Sequence, residues 1–78
     1  MQDVPITSEF ITLGQFLKLA GLVGSGGEVK PYLLETSIQI NGEHDNRRGR
    51  KLFPGDIIIV EKGEPFQIVG MDLDPRDL

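Results

Sequence analysis

At residue 38 the apolar residues change their spacing, and this constrains the fold more than any other feature of the chain. Before that point Leu13, Phe16, Leu17 and Ala20 recur at i, i+3, i+4 and i+7, the stripe of a helix with one buried side. After it, Ile38-Gln39-Ile40 and Phe66-Gln67-Ile68-Val69 alternate as strands, and Ile57-Ile58-Ile59-Val60 reads as a buried strand. A chain that makes helices first and short strands afterwards must lay the helices on the sheet to cover both apolar faces. The expected class is therefore α+β, two helices packed on a small, mainly antiparallel sheet.

Local signals divide the elements. Ile6 to Ile11 is expected to form a short first strand, with Ser8 or Thr12 capping the helix that follows. Gly21 and Gly24 should close that helix. Ser25-Gly26-Gly27-Glu28 has the spacing of a capping box for a second helix reaching about Glu35. Pro31 lacks an amide proton, so the helix must begin late enough to keep it in the first turn. Asn41-Gly42 predicts a type I′ hairpin turn, and Pro54-Gly55 a type II turn. Residues 71–78, with four charges and a proline, are expected to fray, leaving residues 1–70 as one domain.

Composition excludes several classes. The 78 residues hold one domain and no cysteine, so disulfide staples and thiolate metal sites are absent. No apolar run approaches the roughly 20 residues that cross a bilayer, and the N-terminus lacks the basic and apolar segments of a signal peptide. The expected compartment is the cytoplasm. His44 is the only histidine, too few ligands for a metal site. No motif places a Ser or Cys nucleophile, and the Gly-Lys-Ser/Thr ending of a phosphate-binding loop is missing. No catalytic residue, cofactor, metal or small-molecule substrate is expected.

The net charge of −4 argues against a polyanionic partner, but its distribution argues the other way. Residues 46–51 hold Arg47, Arg48, Arg50 and Lys51 with no acid among them. Arginine's planar fork takes two phosphate oxygens at once, Gly49 lets the backbone turn toward a ligand, and Asn46 can donate to a phosphate or a base edge. The plainer reading of such a run is a solvated loop. Lys30, one turn beyond Gly26 and Gly27, is a weaker candidate, as are Gln15 and Lys18 on the polar side of the first helix. Phe53 and Tyr32 could stack on an unpaired base, although core packing is the simpler role for both.

Those residues resemble a known family. Leu13, Phe16 and Leu17, then Glu28, Val29, Lys30 and Leu33, then Ile40-Asn41-Gly42-Glu43 and Pro54-Gly55-Asp56-Ile57-Ile58 are similar to the S-four-like RNA-binding domain. This domain, also called the αL motif, was first described in ribosomal small-subunit protein four. The chain also resembles short bacterial proteins of the YaaA type, sharing the runs Ile11–Lys18 and Asp45–Leu52. The resemblance implies a non-catalytic module binding structured RNA, ribosomal RNA or ribosomal particles, with a role in ribosome assembly or translation. The family commonly opens its first helix with Arg-Leu-Asp, where this chain has Thr12, Leu13 and Gly14, and often precedes the second helix with a basic residue, where it has Gly24 to Gly27. Two usual phosphate contacts are missing, which moves the expected weight onto Arg47, Arg48, Arg50 and Lys51. The rival reading is a protein-interaction module that has lost RNA binding.

Overall fold

The computed structural model describes residues 1–61 and 63–70. The expected fraying of residues 71–78 falls outside them.

The first strand differs from expectation. Instead of one strand over Ile6–Ile11 there are two, β1 (Gln2–Ile6) and β2 (Ile11–Thr12). Between them the chain bends, and the Ser8 hydroxyl donates to the carbonyl of Phe10 at 2.7 Å. β1 tolerates Pro5 because it is an edge strand.

Helix α1 (Leu13–Leu19) starts from a capping box. The Thr12 hydroxyl accepts from the Gln15 amide at 3.2 Å, and the Gln15 side-chain carbonyl accepts from the Thr12 amide at 2.8 Å. It ends at Gly21, whose φ of +75° lets its amide reach the Lys18 carbonyl and that of Leu22 the Leu17 carbonyl.

The capping box expected at Ser25 does not form. Ser25 makes no side-chain cap bond; residues Gly26–Glu28 form a short 3-10 turn, and the Glu28 carboxylate accepts from the backbone of Gly24. Helix α2 (Val29–Glu35) begins after it, so Pro31 lies in the first turn, where no intrahelical bond is lost.

The strands β3 (Ile38–Ile40), β4 (Glu43–His44), β6 (Ile57–Val60) and β7 (Phe66–Gly70) join β1 in a five-stranded sheet ordered β1-β7-β6-β3-β4. Its pairs are antiparallel except β1 with β7, where Val4 lies opposite Ile68 in parallel register. A separate ribbon pairs β2 with β5 (Lys51–Leu52). Positive φ at Asn41 (54°) and Gly42 (88°) fits the expected type I′ turn. One core joins Leu13, Phe16 and Leu17 of α1 and Val29 and Leu33 of α2 to Ile38, Ile40, Ile58 and Ile68 of the sheet and Leu52 of the ribbon. The ring of Phe66, partly buried against this core, meets that of Phe16 edge to face at 5.2 Å.

Candidate nucleic-acid interface

The loop from Asp45 to Arg50 leaves the main sheet at β4 and returns as β5, and between them it lies across the start of α1. The amide of Leu13 donates to the Arg50 carbonyl at 2.8 Å and that of Gly14 to the Arg48 carbonyl at 3.0 Å. These are two of the amides that a helix leaves without partners in its first turn. Gly14 eases this close approach. A Cβ there would stand 3.3 Å from Arg48 Cγ and 3.5 Å from the Arg48 carbonyl oxygen.

The basic run is not free of acid in three dimensions. Asp45, one residue outside it, takes 2.8 Å bonds on Oδ2 from Arg47 Nη2 and Arg50 Nη1. Its Oδ1 accepts from the Arg47 backbone amide at 2.9 Å and from Arg47 Nε at 3.1 Å. The Arg47 guanidinium, aided by its amide and by Arg50, holds this carboxyl well below the usual carboxylate range. The Asp45 side chain is only 9% exposed, against 71% for Arg47 and 28% for Arg50. Residues 46–51 contain no acid, as the sequence shows, but the turn that brings Arg47 and Arg50 together also folds the neighbouring Asp45 between them. Among the described residues Lys18, Lys30, Arg48 and Lys51 form no ion pair.

The run also divides between two grooves. Arg48, Asn46 and Lys30 meet in one, together with Leu33 and the exposed Leu34. The Arg48 guanidinium extends over the 3-10 turn, 3.9 Å from where a Gly26 Cβ would stand. Thus Arg48 and Lys30, eighteen positions apart in the chain, line one groove, whose exposed wall is mainly apolar. Arg47, Arg50 and Lys51 line the second groove with Gly49, Phe53 and Asp56. Gln15 is drawn into the capping box, which occupies its carbonyl oxygen. Lys18 is exposed in the last turn of α1, where a cation complements the helix end opposite the loop. Tyr32 packs against the core.

Phe10 was not singled out by its sequence. Its ring lies 5.7 Å from that of Phe53, and Lys51 Nζ stands 4.8 Å from the Phe10 ring centre. No local signal reveals this, because the pairing of Ile11 with Leu52 is what brings the two segments together. The segments Ile40–Glu43 and Pro54–Ile58, both part of the family resemblance, are joined by one set of side-chain bonds. Asn41 donates from Nδ2 to Asp56 Oδ1 at 3.0 Å and accepts from the Ile57 amide, while Asp56 Oδ2 accepts from the Phe53 amide at 2.8 Å.

A helix pair on a small mixed sheet, with a cationic loop seated on the start of the first helix, is the architecture that the described residues build. The family model described as the S4 domain matches residues 4–69, and the chain belongs to that family. Among curated proteins it is similar to the "Probable ribosome maturation protein RlbA" of Bacillus subtilis (strain 168), with 52% identity over 66 residues. The matched segment covers 85% of this chain and 93% of that relative. No helix among the described residues is long and apolar enough to cross a membrane.

Proposed function

We propose that this chain is a non-catalytic module that binds structured ribosomal RNA in the cytoplasm and acts in the maturation of ribosomal particles. The observation that carries the reading is the convergence of Arg48, Asn46 and Lys30 on one groove beside the start of α1. Phosphates supply most of the affinity in such complexes, and charge-bearing donors on rigid elements hold them with little loss of freedom. Membership of the S4 domain family and the name of the Bacillus relative support the choice of RNA and of the ribosome.

The test is binding to a structured ribosomal RNA fragment over a salt series. With Arg47 and Arg50 countered by Asp45, three or four phosphate contacts are expected, and log affinity should fall against log salt with a slope of roughly −3. Arg48→Glu combined with Lys30→Glu should lower affinity at least tenfold at low salt and flatten the slope. Unchanged binding by that variant would remove this groove from the interface. An absence of wild-type binding at low salt would favour a protein partner, for which the exposed Leu34 offers a contact.

A further inference from the structure

The second groove differs in kind from the first. Phe53 is the only aromatic among the exposed large hydrophobic residues of the described chain, at 42%. Its backbone is fixed by the turn: its amide donates to the Asp56 carboxylate at 2.8 Å, and its carbonyl accepts from the Asp56 amide at 3.0 Å. Phe10 backs the ring at 5.7 Å with the planes tilted by 46°. Lys51, which forms no ion pair, shares its groove with Asp56 and with Arg47 and Arg50, the two guanidinium groups held by Asp45, so the ring lies on a wall of mixed polarity with one unpaired cation beside it. An exposed ring held in place gains burial from a flat partner at little entropic cost. Every nucleobase has such a face, and the unpaired Lys51 in the same groove offers a charge for an adjoining phosphate. Within a duplex both faces of a base are already stacked, so only an unpaired base has one to offer.

Building on the RNA reading above, we propose that Phe53, backed by Phe10, is a stacking platform for one unpaired nucleotide, whose backbone runs past Lys51. The module would thus recognise a loop or bulge in its RNA, with the Arg48–Lys30 groove holding adjoining phosphates.

The chain has no tryptophan, so Phe53→Trp introduces a single fluorescent reporter at the platform. Two RNAs serve as probes, a hairpin with an unpaired loop and the blunt duplex of its stem. The hairpin should quench Phe53→Trp and the duplex should not. Phe53→Ala should weaken hairpin binding by roughly tenfold, with the salt slope unchanged because no ionic contact is lost. Phe53→Trp should bind the hairpin at least as well as wild type, which separates loss of stacking from misfolding. If wild type binds RNA while Phe53→Ala matches it and Phe53→Trp is not quenched, the platform is overturned and the RNA interface stands. If wild type binds neither probe at low salt, both readings fall.

Discussion

Asp45 lies one position before the basic run, and its carboxylate changes what the run can do. It orders Arg47 and Arg50 at the expense of their free charge. Asp45→Asn should lower the urea midpoint of unfolding while releasing two guanidinium groups, so its RNA salt slope should steepen by about one to two. The pH dependence has a defined sign. The folded-state pKa is depressed, so the stabilisation is present above the ordinary carboxylate value near 4 and is lost as pH falls below it. The stability gap between wild type and Asp45→Asn should therefore be constant near neutral pH and close below about pH 4. Gln15 poses the opposite question, whether a polar residue on a candidate face serves the ligand or the fold. Its side-chain carbonyl oxygen is committed to the Thr12 amide. Gln15→Glu keeps an acceptor at the same place and should retain stability and RNA binding. Gln15→Ala should cost about 0.5–1 kcal/mol in denaturant unfolding.

Two elements far apart in sequence are joined by the bonds between Asn41 and Asp56. Asn41 closes the β3–β4 turn with φ at 54° and also reaches the turn that begins β6. Asn41→Gly keeps the turn and loses the side-chain bonds, so it should cost about 1–2 kcal/mol. Asn41→Ala adds strain at positive φ and should cost about 1 kcal/mol more. A double-mutant cycle with Asp56→Ala should be clearly non-additive, since both changes remove the same bond. The hairpin turn, the helix α1 stripe and the turn at Pro54-Gly55, where Gly55 has φ at 99° and the Asp56 amide reaches the Phe53 carbonyl, are all legible, because each depends on residues close in sequence. The second capping box was misread, because Ser25 and Glu28 have the right spacing but Gly24 offers Glu28 a donor outside the expected pair. The single first strand was misread because Thr7 to Glu9 bend between two short strands that pair with different partners.

At the scale of the molecule, the parallel pairing of β1 with β7 ties the N-terminal segment to the far end of the domain. Val4 and Ile6 are 6% and 4% exposed and lie against that end of the core. Burying two such side chains contributes about 3–6 kcal/mol, a large share of the roughly 4–12 kcal/mol expected for a domain this size. Deletion of residues 1–6 should abolish the cooperative thermal transition seen by circular dichroism. Nothing in the spacing of residues 2–6 indicates that they pair with residues 66–70, since strand pairing is a contact between distant segments and leaves no mark on local periodicity. By itself the sequence determined the α+β class, the helix stripe, the turns and the presence of a local excess of arginine, all properties of residues a few positions apart. Only the tertiary structure decided which cations share a groove, that Asp45 stands between Arg47 and Arg50, and that Phe10 comes to lie behind Phe53. Charge and exposure belong to a surface, and a surface is assembled from segments that the chain order keeps apart.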